Sequence, residues 1–506
     1  MDVHVEQLSE PLLEFAGGFT HPDAKTGLAE FGPYGKTDVG HVYQVRLGFV
    51  GPSGAVSDTR KWLEETCTQP IQSERDPEQR REQASEVPHP DLFEGEEGNS
   101  SDFAPEQETT PQETVVSRDF VGFNPDSTFE SQFRADTRWI QTITQRDINE
   151  ALNEDEEEDR ITAIAQLYEE GIRKLCEVEP SPHVIVLSLT EDIKEAAATA
   201  KLDSGFHINL RRIIKADAMR PRQAKPTQIV LPHTYEGGDV QDEATRAWNL
   251  CTALYYKAGG EPWRPRGIRE DTCFLGVSFY TTQELDDERV MRSSLAMAFD
   301  YKGEGIVLRG ESFVWDTTKG RPHLKEKSAR KLVKGALEEY TSQEGRPPAR
   351  VVVHKPSTYW SREDHNELAG FYEGIDDVTP NAEVDLVALR ESKTMLFREA
   401  QYPVPRGTYF EIEDEAFIYT SGYIEELETY PGPRVPLPVH IAEHYGGSSK
   451  RDLAAEILAL SKMNFNNCHY ADKEPITLAF SEKVGEVMKH AGSSPQNIQL
   501  LYKFYM

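Results

Sequence analysis

Apolar and polar positions alternate along Val42–Phe49, which predicts a half-buried strand near the start of the chain. Between Arg146 and Val178 apolar residues recur at helical spacing. They lead into the apolar run His183–Leu189, bounded by Pro182 and Thr190, which predicts a buried strand. The Ala-rich stretch Glu191–Leu202 reads as a helix, and Phe206–Met219 reads as another that stops before Pro221. Thr227–Leu231 follows as a strand, and Glu243–Lys257 as a helix closed by Gly259-Gly260. Buried strands alternating with helices predict a small doubly wound, Rossmann-like α/β unit.

After Pro262 the pattern changes. Strands are expected at Cys273–Thr281 and within Ser294–Arg309, with a helix over Ser328–Tyr340, a strand at Arg350–His354 and a helix at Glu363–Tyr372. A strand at Val384–Leu389, a hairpin over Thr408–Thr420, and helices near Lys450–Met463 and Ser481–His490 complete the chain. Strands in series, followed by helices between further strands, predict a mixed sheet with helices on its faces. The division reads as residues 1–66 leading into the first domain, an insertion at 70–117, the first domain at 118–265 and the second at 266–506. No internal repeat is visible.

Charge sharpens this picture. The chain has 506 residues, and 55 basic against 87 acidic side chains leave a net −32, which argues against nucleic acid as a partner until the charge is mapped. Residues 70–117 alone hold 13 acidic and 3 basic residues, a net −10, and are rich in Glu, Gln, Pro and Ser, so a disordered acidic insertion is expected there. The run Glu154–Asp159 reads as a solvated helix face. No apolar stretch is long enough to span a bilayer, and the acidic start Met1–Glu6 is unlike a secretory signal, so a cytoplasmic protein without a membrane partner is expected. Five scattered cysteines without a C-x-x-C pair indicate neither a zinc site nor a disulfide framework.

The chemistry concentrates between His207 and Gly260. On a helix, Arg211 and Lys215 project from one face, and two cations there repel unless an anion lies between them. Gln228 offers an amide at the start of a strand, and Lys257 lies in the last turn of a helix. An Arg fork, compact Lys charges and an amide converging on one point suit a terminal phosphate. The bland alternative is a set of solvated basic residues, with Lys257 complementing a helix C-terminus.

The text Tyr255-Tyr256-Lys257-Ala258-Gly259-Gly260-Glu261-Pro262-Trp263, with the Arg/Lys helix and Pro226-Thr227-Gln228 before it, resembles the MID domain of prokaryotic Argonautes. Gly27–Pro33 near the start, and Ile418–Tyr423, Tyr430-Pro431-Gly432, Leu458–Asn466 and Glu474–Leu478 near the end, resemble the same family's PIWI region. The resemblance implies a Rossmann-like MID domain followed by an RNase H-like PIWI domain. It implies a guide 5′-phosphate pocket drawn from His207, Arg211, Arg212, Lys215, Gln228 and Lys257; which of His207, Arg211 and Arg212 touches phosphate stays open. A Mg²⁺ ion held by the phosphate, Gln228 and the C-terminal carboxylate of Met506 is also implied.

PIWI cleavage needs two metal ions clamped by carboxylates. The resemblance places the first at Ser278 and the next at Pro356, and neither residue can bridge metals, so an inactive PIWI domain is expected. Lys355 is expected to contact a duplex backbone, whereas His354 reads as a packed histidine, and Cys468 and His469 as structural. The size matches the short class of the family, MID plus PIWI. That class implies a 5′-phosphorylated guide RNA, a single-stranded DNA target and an APAZ-bearing effector protein in prokaryotic immunity. The effector would be a TIR or sirtuin-like NADase or a nuclease, and activation could assemble several copies. The competing expectation is a guide-directed endonuclease.

Overall fold

The computed structural model describes residues 3–37, 40–73, 118–201, 207–238, 241–286, 288–300, 305–362, 365–399, 403–430, 435–490 and 499–506. The acidic insertion expected at 70–117 lies outside the described residues except for 70–73, where Ile71 bridges to Phe120, which follows the insertion.

Two sheets organise the chain. The smaller is built from β2 (Gln44–Pro52), β3 (Gln132–Ile143), β4 (Val184–Ser188) and β7 (Thr227–Val230), all parallel in the order β3-β2-β4-β7. A short hairpin of β5 (Thr199–Lys201) and β6 (His207–Asn209) precedes β7. Helices α1 (Ser53–Lys61), α2 (Gln145–Leu152), α3 (Glu157–Cys176), α4 (Glu191–Ala197), α5 (Leu210–Ala218) and α6 (Glu243–Lys257) connect and cover these strands. Parallel strands buried on both faces require continuous apolar text, and Val184–Ser188 is buried at every position. Glu157, Glu158 and Asp159 form the exposed first turn of α3, where carboxylates complement the positive helix end.

The larger sheet has nine strands. They are β1 (Val3–Gln7), β8 (Thr272–Asp286), β9 (Arg289–Phe299), β10 (Gly305–Asp316), β11 (Arg350–Lys355), β12 (Glu383–Glu391), β13 (Thr408–Ile412), β14 (Glu415–Ile418) and β15 (Val439–Gly446). Their order is β1-β13-β14-β15-β12-β11-β8-β9-β10, with β8, β11 and β12 parallel and the other pairs antiparallel. Helices α7 (Glu326–Glu344) and α8 (Glu367–Asp376) contribute buried side chains to one core, α9 (Lys450–Leu460) and α10 (Ile476–His490) to another. Gly276 permits the closest approach of α10 to β8: a Cβ there would lie 2.0 Å from the Thr477 carbonyl oxygen. No helix among the described residues is long and apolar enough to cross a membrane.

Several local expectations change. The helix expected over 191–202 ends at Ala197, because Thr199–Lys201 pairs with His207–Asn209 and the cross-strand pairing overrides alanine's helix propensity. The helix expected from Phe206 starts at Leu210, capped by Asn209, whose Oδ1 accepts from the Arg212 N–H at 3.3 Å. β3 has no counterpart in the pattern, since as an edge strand it exposes Arg134, Thr137 and Arg138. The segment 1–66 is shared: β1 belongs to the larger sheet, and β2 is a central strand of the smaller one.

His354 is 1% exposed on β11, and its Nδ1 lies 2.8 Å from the Thr477 hydroxyl. Burial, with the Arg350 charge adding to it, pushes the imidazole down to about 3. A base depressed below its unfolded value of about 6.5 contributes stability that is complete above that pH and is lost as pH falls toward the folded value. Stability is therefore expected to fall by about 1.4 kcal/mol per pH unit from this one group between pH 6.5 and 4. Denaturant midpoints of the native protein and of His354→Gln across that range would test it; parallel pH profiles would refute it.

Candidate nucleic-acid interface

The cationic cluster forms where α5, β7 and the end of α6 meet the last residues of the chain. Lys257, 1% exposed, donates from Nζ to the Thr227 carbonyl at 3.1 Å, to Gln228 Oε1 at 2.6 Å and to the Met506 main-chain oxygen at 3.2 Å. Lys215 on α5 donates to the same Met506 oxygen. Gln228 Nε2 donates to the Ile229 carbonyl at 3.1 Å, which turns its oxygen toward Lys257. Arg211 stands exposed on the first turn of α5 and makes no ion pair among the described residues. Burial holds the Lys257 ammonium well below the ordinary lysine range, and the charges of Lys215 and Arg211 push the same way. Three cations within electrostatic reach of one another, two of them on one oxygen, make a place where a further anion is favourable.

One of the expected residues stands apart from this focus. Arg212 turns to α10, where it pairs with Glu486, and Lys489 pairs with the same carboxylate. His207 lies on β6, three residues before α5. Glu486 is the partner the sequence does not indicate, since 274 residues separate it from Arg212, whereas Met506, 291 residues from Lys215, is expected at the pocket only as a metal ligand.

The two positions expected to be degenerate meet at one level of the larger sheet. Gly276 on β8 is in register with His354 on the parallel β11, so Ser278 and Pro356 each lie two residues beyond the last registered pair. Ser278 is 6% exposed, and its hydroxyl donates to the Ser481 carbonyl of α10 at 3.5 Å. With Thr477 against His354, α10 presents hydroxyls to this region. Among the described residues, no group of three or more His, Cys, Asp or Glu side chains is placed to hold a metal ion.

Lys355 corrects its sequence-based reading. Its side chain is fully buried and pairs with the equally buried Glu367, while Nζ donates to the Thr358 carbonyl at 3.0 Å, so it faces the interior and cannot meet a duplex. Burial pushes its ammonium down to about 8 against the opposing pull of Glu367. Cys468 donates to the Thr252 hydroxyl at 3.0 Å, and burial pushes His469 down to about 4, so both are packed groups.

Gln228 Oε1 and the Met506 oxygen are hard donors of the kind a divalent cation takes. Both already accept from lysine ammonium groups, so on their own they do not fit a dication.

No family model and no curated protein matches the chain. Among solved structures, it is similar to Clostridium butyricum Argonaute bound to a guide DNA with a 5′ deoxycytidine and a 19-mer target DNA, with a TM-score of 0.58 and 15% identity over 99% of this chain and 55% of that one. It is also similar to Drosophila Piwi, with a TM-score of 0.53 and 13% identity over 99% of this chain and 56% of that one. The chain thus spans just over half the length of these structures, and its architecture is the MID–PIWI fold that they share.

Proposed function

We propose that this chain is a guide-dependent nucleic-acid sensor. Its cradle takes the 5′-phosphate of a guide, RNA in the preferred form, and the guide pairs with complementary single-stranded DNA. The observation that carries this reading is the convergence of Lys215 and Lys257 on one oxygen beside Gln228 and Arg211. The buried ammonium of Lys257, depressed by its cationic neighbours, regains favourable charge interactions when phosphate enters. Arg211 is free of ion pairing among the described residues and offers a planar fork to the phosphate oxygens. Arg212 has a different task in this reading, tying the cradle helix to α10 through Glu486. No step is assigned to a metal, because the donor oxygens are engaged by lysines.

The reading assigns no bond-breaking chemistry to this chain. Serine at 278 and proline at 356 supply no anionic bridge for two metal ions, and the neighbouring Thr477 and Ser481 are neutral. Output would come from a separate APAZ-bearing chain with a TIR or sirtuin-like NADase or a nuclease, activated by guide–target pairing and assembled in several copies. Sequence discrimination would rest on base pairing, and the protein would read backbone geometry.

The test uses the full chain, a labelled DNA target and guides that differ only in bearing 5′-phosphate or 5′-hydroxyl. Preferential loading of the phosphorylated guide, target capture, and an uncut target in Mg²⁺ or Mn²⁺ are expected. Cleavage opposite the guide would establish the endonuclease alternative, and equal loading of both guides would overturn the cradle.

A further inference from the structure

With Lys355 turned inward, two exposed guanidiniums stand beyond the end of β11, one on the Pro356 carbonyl and one over Trp360, whose ring stacks on His323, two residues from the first. Arg321 donates to the Pro356 carbonyl and is otherwise exposed. Arg362 is exposed with its guanidinium carbon 4.7 Å from the centroid of the Trp360 ring. The indole is itself fixed: it stacks on His323 at 4.0 Å with an interplanar angle of 18° and lies 5.7 Å from Trp315. His323 is anchored in turn by Glu367 at 3.1 Å. Neither Arg321 nor Arg362 forms an ion pair among the described residues, in a chain of net charge −32 where Arg269, Arg330, Arg350, Arg406 and Arg451 all do.

We infer that Arg321 and Arg362 form a clamp for phosphodiester oxygens of the nucleic-acid strand paired to the guide, beside Pro356. The inference rests on the proposed guide–target function and adds a second anion site to it. A guanidinium presents two parallel donors that match a phosphate edge. One held by a carbonyl and one held over an aromatic face have already lost much of the freedom that binding would cost. Unpaired arginines also need not break an existing salt bridge to bind.

The test is the double variant Arg321→Ala/Arg362→Ala in the full chain, with Arg330→Ala, an exposed but ion-paired arginine, as control. Guide loading is expected to stay within about twofold of the native protein, whereas target retention by the loaded protein falls about tenfold or more. The slope of log affinity against log salt should become shallower by about 1–2, reflecting lost phosphate contacts. Unchanged target affinity and slope, or guide loading that falls in step with target retention, would overturn the clamp. If native protein fails to prefer a 5′-phosphate, the cradle falls separately, and the clamp is judged on a pre-annealed RNA–DNA duplex. There a shallower slope in the double variant supports it, and an unchanged slope overturns it.

Discussion

Replacing Lys257 with glutamate is expected to abolish retention of a 5′-phosphorylated guide, with a loss on the order of a thousandfold or more. A hydrogen bond to a charged group contributes about 1.5–3 kcal/mol, and reversal adds repulsion between the new carboxylate and the phosphate. The side chain is buried, so the glutamate variant could also weaken the fold. Lys257→Met, which keeps the aliphatic stem and removes the charge, separates the two effects. It is expected to lower affinity for the phosphorylated guide by about 10–100-fold and leave affinity for the 5′-hydroxyl guide nearly unchanged. Filter binding with both guides, alongside thermal melting, measures this; a methionine variant with full phosphate preference would remove Lys257 from the cradle.

Glu367→Ala is expected to cost about 3–5 kcal/mol of folding stability, because it leaves the Lys355 ammonium buried and uncompensated. The carboxylate also receives the Leu324 N–H at 2.9 Å, His323 Nδ1 at 3.1 Å and the Trp360 N–H at 3.4 Å, so its loss orphans several groups at once. The pair Lys355→Met/Glu367→Leu should recover much of that loss, since replacing both ions with apolar side chains removes the uncompensated charge. Urea unfolding measures both variants. A loss under about 1 kcal/mol in the single variant would contradict Lys355 as an interior group and return it to consideration as a duplex contact.

Much of the fold could be read from the chain because the decisive signals were local. Val184–Ser188 is apolar at consecutive positions, and Glu243–Lys257 has a capping Asp242 before it and glycines after it, so both segments declare themselves within a few residues. β3 did not: Gln132–Ile143 mixes charges into its alternation and is held by pairing with β2 across the insertion. The hairpin at Thr199–Asn209 was likewise hidden, since its partners matter more than the propensity of its alanines.

The cradle divides in the same way. The sequence by itself grouped Arg211, Lys215, Gln228 and Lys257 as cations and an amide whose chemistry suits a phosphate, because residue chemistry and helical spacing are local properties, while spacing alone left a solvated basic set equally open. Only the tertiary structure decided that Lys215 and Lys257 share the Met506 oxygen, that Arg212 is committed to Glu486 and that Lys355 faces inward. Those outcomes depend on contacts between segments hundreds of residues apart, or on which side of a strand end the core lies. A linear pattern reports which charges a chain has, whereas burial and long-range pairing decide which of them remain available to an anion.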